Sequence, residues 1–150
     1  MNKKTLTRIC IALVIFVALF FTVKELTKPK VEVGSKTVEI IVIDNTGEEA
    51  TIVYQGAHQT DAQFLADLLV ELQEKQIITL ELQGNQSDAY GRSIVMIMDL
   101  KTEDWNIGPW WVFDSTTNQD CLSAGFCSGI DATPIYDQDI FEFTFTVTFE

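Results

Sequence analysis

Few residues in this chain have the chemistry of a reactive site, and their spacing narrows what they can do. Cys121 and Cys127 are separated by five residues. A zinc site needs two more ligands, and the single histidine, His58, lies far off in sequence. A dithiol redox centre places two residues between its cysteines at a helix start. A structural disulfide or a pair of free thiols is left. The disulfide would close a loop worth about 2 kcal/mol. Asp131, Asp137 and Asp139 are close enough in sequence to gather at one end of a sheet and hold calcium. Their spacing departs from an EF-hand loop and fits turn chemistry better. His58 has no Ser or Cys nucleophile near it in sequence and suits a surface or capping role. There is no phosphate-cradling glycine loop, catalytic carboxylate pair or nucleophile elbow. The sequence therefore points away from an enzyme and names no catalytic residue, metal or cofactor.

Binding chemistry is better represented. All three tryptophans lie between Trp105 and Trp111. Gly108-Pro109 signals a turn, and Trp110 to Asp114 reads as a strand after it. Alternation puts Trp110 and Val112 on one face and Trp111 and Phe113 on the other. A solvated edge strand would alternate with polar residues instead. One face is expected on the core and the other against a loop, a ligand or a partner; internal packing of both is the alternative. Two functions fit. In the first, a small molecule stacks on whichever of Trp110 and Trp111 faces out, beside Tyr90, Asp114, Asp131 and the 115–130 loop. In the second, the same face docks on a membrane partner as an interaction or structural module. A concave pocket favours the first and a flat patch the second.

Charge divides the chain. Six basic residues against Glu25 give residues 1–30 a net charge of +5. The whole chain carries −12, so residues 31–150 hold −17. Only Lys36, Lys75, Arg92 and Lys101 are basic there. Such a body repels phosphate backbones, which argues against nucleic acid as a partner.

Residues 9–23 are uncharged and strongly apolar, between Arg8 and Lys24. With snorkelling of the flanking basic groups, this segment approaches the roughly 30 Å of a bilayer core. Cleavage as a signal peptide is disfavoured, because Phe20 and Glu25 occupy positions that need small residues. The expected organisation is a cytoplasmic tail (1–8), a transmembrane anchor (9–23), a tether (24–35) and an extracytoplasmic domain (36–150). Localisation would be the cell membrane, in a single pass.

Within the body, Thr37 to Ile43 and Ala50 to Gln55 read as a hairpin, and 56–59 as a connector. A helix follows, with Thr60 as N-cap, Gln63 as its capping-box partner, and Phe64, Leu65, Leu68, Leu69 and Leu72 on one stripe. It is expected to end near Gln76. Strands are expected over Ile77 to Leu82 and Ser93 to Leu100. Asp114 to Ala132 is a long loop. From Ile140 to Glu150, Phe141, Phe143, Phe145, Val147 and Phe149 alternate with polar residues, as in a half-buried antiparallel strand.

The order of these parts carries a resemblance. A Leu-Ala-Asp-Leu-Leu helix core (Leu65 to Leu69), Tyr90-Gly91 before a strand, a Trp-rich strand, and the run from Gly129 to Phe143 recur in this order. Over roughly residues 36–149 the chain resembles an uncharacterised family of bacterial surface domains related to the C-terminal domain of transcobalamin and intrinsic factor. The resemblance implies an α+β, β-grasp-like fold with an antiparallel or mixed sheet and one helix, held at the cell surface. In the vitamin carriers the related domain covers one side of cobalamin, so the implied ligand is corrinoid-like or another nutrient. This chain has Gln138 where the family often has Gly, and Asp114-Ser115 where it often has Asn-Gly.

Overall fold

In a computed structural model that describes residues 33–148, the β-branched run after Lys36 forms β1 (Lys36–Asn45). It reverses into β2 (Thr51–Thr60) and pairs with it antiparallel. The opposite side of β1 pairs in parallel with β7 (Ile140–Thr146). An antiparallel partner, β6 (Trp110–Asp114), closes that sheet in the order β2-β1-β7-β6. A smaller sheet holds β3 (Leu80–Gln83), β4 (Ser93–Ile97) and β5 (Leu100–Lys101). Two helices complete an α+β architecture: α1 (Leu65–Glu74) and α2 (Gln119–Ala124).

The core lies between α1 and one face of the larger sheet. Leu65, Leu68, Leu69 and Leu72 join Val38, Ile40 and Val42 of β1 and Phe141 and Phe143 of β7 in one buried cluster. Ile94 and Ile97 bring the smaller sheet into it. The period-two pattern of the last strand explains its placement, because Phe141 and Phe143, two positions apart, fall together on the core face. β7 is not purely antiparallel, however, and it stops at Thr146. Val147 lies beyond it and is half exposed, and Phe149 is outside the described residues.

Several sequence expectations are corrected. Residues 56–59 are not a connector but the second half of β2. Thr60 does not cap α1; its hydroxyl donates to Glu71 Oε2 and accepts from the Ala62 N–H. The N-cap is Phe64, which makes no side-chain cap. Orphan amides at a helix start need acceptors. Here the Leu65 N–H donates to Thr133 O and the Ala66 N–H to Ile130 O. A distant segment therefore does what the expected capping box of Thr60 and Gln63 would have done. At the other end Gln76 takes φ 58°. The Ile77 N–H reaches Leu72 O and the Gln76 N–H reaches Gln73 O, a Schellman closure with Gln in the glycine position. That turn delays the next strand from Ile77 to Leu80. Ser93 to Leu100 is not one strand, because Met98 adopts φ 55° and the chain folds back into β5.

The stretch expected as one long loop contains α2, so the described residues hold two helices where one was expected. Asn118 caps it through Oδ1, accepting from the Asp120 and Cys121 N–H groups. Cys121, in α2, forms a disulfide with Cys127. The tail, the anchor and all but the last three residues of the tether lie outside the described residues. Among the described residues no helix is long and apolar enough to cross a membrane.

Candidate functional site

Aromatic side chains from three parts of the chain converge beside the sheet edge. Trp111 and Phe113 point from β6 toward the core. The Trp111 ring lies 4.9 Å from Phe145 and the Phe113 ring 5.5 Å from Phe143, centroid to centroid. Their outer edges line a cleft of about 210 Å³ that Tyr90 and Trp105 also wall. A contiguous hollow of about 410 Å³ shares Tyr90, Ser93 and Trp105 and adds Gln83 and Asp88. A third, of about 360 Å³, runs along the other side of Tyr90 toward Phe126 and Ser128. Tyr90 is a common wall of all three and is 92% exposed.

The backbone around Tyr90 is firmly held. Gly91 has φ 70°, and a Cβ there would stand 2.8 Å from Asp131 Oδ2. A Cβ on Gly129 would stand 2.6 Å from the Tyr90 carbonyl oxygen. Only glycine permits both approaches. Arg92 then locks the junction. Its peptide N–H donates to Asp131 Oδ2 at 2.6 Å, Nη2 donates to Oδ1 at 2.5 Å, and Nε spans both oxygens at 3.1 Å. Burial pushes the Asp131 carboxyl up, but the Arg92 hydrogen bonds and charge outweigh it and hold the pKa below the ordinary value. The hydrogen bond to Asp131 in turn raises the Arg92 guanidinium. The 129–135 segment is itself anchored on the start of α1, so the helix places Asp131, and Asp131 holds Arg92 two positions after Tyr90.

Trp105 is positioned by a different device. Trp110 Nε1 donates to the Trp105 carbonyl at 2.9 Å. Its ring covers the turn, where a Cβ on Gly108 would come within 2.7 Å. Thr102 Oγ1 donates to Pro109 O across the same loop. Trp105 is thereby presented at 45% exposure. Trp111 Nε1 is buried and has no hydrogen-bond partner among the described residues.

The sequence-based site residues divide. Tyr90, Trp111 and Asp131 are brought together. Trp110 and Asp114 are not, since they share the opposite face of β6. Asp114 accepts from the Ser115 N–H and faces Glu142 across the ladder. The tryptophan beside Tyr90 is thus the inward Trp111, not the outward Trp110, because register places Trp111 opposite Phe145 of the core. β6 is also an edge strand despite its two apolar faces; Trp110 uses the second face to cover its own turn. Trp105, Phe113 and Arg92 were missed. A tryptophan in the polar run Asp104-Trp105-Asn106 was the available signal for the first.

The three aspartates do not gather. Asp131 holds Arg92, Asp137 Oδ1 accepts the Thr37 N–H at 2.7 Å, and buried Asp139 accepts from Asn118 Nδ2 and the Tyr136 N–H. Among the described residues no three His, Cys, Asp or Glu side chains are grouped to hold a metal ion. His58 lies far along β2, with Nε2 2.6 Å from the Tyr54 hydroxyl.

No family model matches the chain, and no curated protein matches it. Among solved structures it is similar to a proposed metal-binding protein from Ruminococcus gnavus ATCC 29149. The two share 21% identity with a TM-score of 0.50, over 76% of this chain and 99% of the other. Likeness at that identity speaks for the fold alone.

Proposed function

We propose that this protein is a membrane-tethered, extracytoplasmic binding module that captures a small molecule between Tyr90 and Trp105, over a floor formed by Trp111. One observation carries the reading. Tyr90 is almost fully exposed, yet the chain directly after it is closely set, by the tight approaches at Gly91 and Gly129 and by the Arg92–Asp131 pair. Folding gains little from displaying a large ring on a held stretch of backbone, whereas a ligand gains from it. The open hollows beside Tyr90 have aromatic walls on which a small molecule can lie, and this supports the ligand reading. The membrane anchor of residues 9–23 belongs to this proposal, as does the kinship with transcobalamin C-terminal domains. A β-grasp-like description is supported by the parallel pairing of first and last strands beneath a helix. We assign binding rather than catalysis, and a corrinoid or another nutrient is the ligand class to screen first.

The test is a thermal-shift screen of the full chain in a non-ionic detergent against corrinoids, sugars, other vitamins and organic ions. Calcium and zinc are included because the structurally similar Ruminococcus protein is described in terms of metal binding. A ligand that raises Tm for the wild type but not for Tyr90→Ala supports the reading. If every shift survives Tyr90→Ala, the cleft is not the site.

A further inference from the structure

Resting on that assignment of the cleft, we infer that its ligand is an organic cation, a quaternary ammonium group held against ring faces. The cleft offers no available cation. Four basic side chains occur among the described residues, and all four are engaged by the fold. Lys36 Nζ donates to Ala62 O at 2.6 Å, and Lys75 pairs with Glu71. Arg92 is clamped on Asp131, and Lys101 pairs with Glu81 at 2.9 Å. A phosphate or carboxylate entering the cleft finds no uncommitted cation, and it must approach a body carrying −17. Arg92 does line the smaller hollow, but the Asp131 carboxylate neutralises it there.

The same charge favours the opposite sign. The larger hollow has no basic residue among its walls, and its one charged side chain is Asp88. It combines that carboxylate with two accessible ring systems, Tyr90 and Trp105. Ring faces carry a negative quadrupole, and they attract a cation most when little water must be stripped from it. A quaternary ammonium is weakly hydrated and needs no hydrogen-bond acceptor. A primary ammonium is strongly hydrated and has to give up more water to reach the rings. The cleft therefore discriminates by sign first and by degree of alkylation second.

An isosteric series decides it. Choline, its neutral analogue 3,3-dimethylbutan-1-ol and the anion 3,3-dimethylbutanoate are titrated into the full chain in non-ionic detergent, followed by tryptophan fluorescence and calorimetry. Choline is expected to bind about tenfold more tightly than the neutral isostere, and the anion not at all. Tyr90→Leu and Trp105→Leu should each weaken choline by about tenfold while leaving the neutral isostere within about threefold. Asp88→Asn should weaken choline alone, and added salt should reduce the choline affinity. Thermal unfolding of each variant verifies that it folds. Equal binding of choline and the neutral isostere, with both lost in Tyr90→Leu, overturns the cation assignment and leaves a small-molecule cleft. Preferential binding of the anion has the same meaning. Absence of binding by all three, together with no hit in the wider screen, overturns both.

Discussion

Arg92 grips Asp131 through its guanidinium and through its own peptide N–H, 39 positions apart in the chain. Asp131 is only 5% exposed at its side chain and Arg92 23%, so the pair is shielded enough to matter. Removing one partner of such a pair strands the other, and Arg92→Ala should cost about 3 kcal/mol. The pH dependence follows from the depressed Asp131 pKa. A carboxyl whose folded pKa lies below its unfolded value adds stability above about pH 4. That contribution disappears as the pH falls through the folded pKa. Urea unfolding from pH 6 to 2 should show this loss in the wild type and not in Asp131→Asn.

The two neighbouring tryptophans should behave differently on truncation. Trp111 packs on Phe145 and the core, so Trp111→Ala should cost about 3–5 kcal/mol. Trp110 lies over the 105–109 turn and holds the Trp105 carbonyl, and loss of that hydrogen bond in Trp110→Ala should cost about 1–2 kcal/mol. It should also loosen Trp105, visible as altered quenching of that residue's fluorescence. Equal losses in the two unfolding curves would contradict the division of faces on β6.

The Cys121–Cys127 bridge should act locally. It spans six positions, a short closure worth about 2 kcal/mol in the chain-entropy account. Cys121 is buried against the core and Cys127 packs on its margin. Reduction, or the double Cys→Ser variant, should therefore raise amide exchange in residues 115–130 well before β1 or β7. Phe126, 66% exposed one residue before Cys127, should become mobile with them, while the Arg92–Asp131 pair stays closed.

His58 should mark a second, separate pH effect. Burial lowers its pKa, the Lys75 charge lowers it further, and Glu71 partly opposes them. Its folded pKa thus lies below the ordinary value of about 6.5. The neutral ring, bonded to the Tyr54 hydroxyl, is the form that the fold favours. Stability from this source is complete above about pH 6.5 and declines as the pH falls through the folded pKa. His58→Gln should flatten the stability curve in that range, which chemical unfolding at half-unit pH steps will resolve.

Periodicity made much of the frame legible. The Leu stripe of α1 and the alternating phenylalanines of β7 state which faces are buried, because burial itself imposes those periods. The bounds of β6 follow from a turn signal and a β-rich run. What stayed hidden depends on partners remote in sequence. The acceptors at the start of α1 come from Ile130 and Thr133, and no local pattern at Thr60 reveals them. The six-residue α2 is too short for a stripe and is defined by Asn118, whose side chain bonds Pro134 and Asp139. Within the site, Tyr90 and Asp131 could be named, but their linkage by Arg92 could not. Nor could the part played by Trp105, since exposure is a property of the folded surface.

The parallel seam between β1 and β7 also sets a schedule for biosynthesis. Residues 140–146 join the β1–β2 hairpin to β6, and neither has another neighbour in that sheet. They supply Phe141, Phe143 and Phe145 and emerge from the ribosome after every other described element. A nascent chain that lacks them has both halves of a sheet and no seam, and the core that α1 covers lacks Phe141 and Phe143. Stalling before position 140 should therefore leave a protease-sensitive chain rather than a weakened domain.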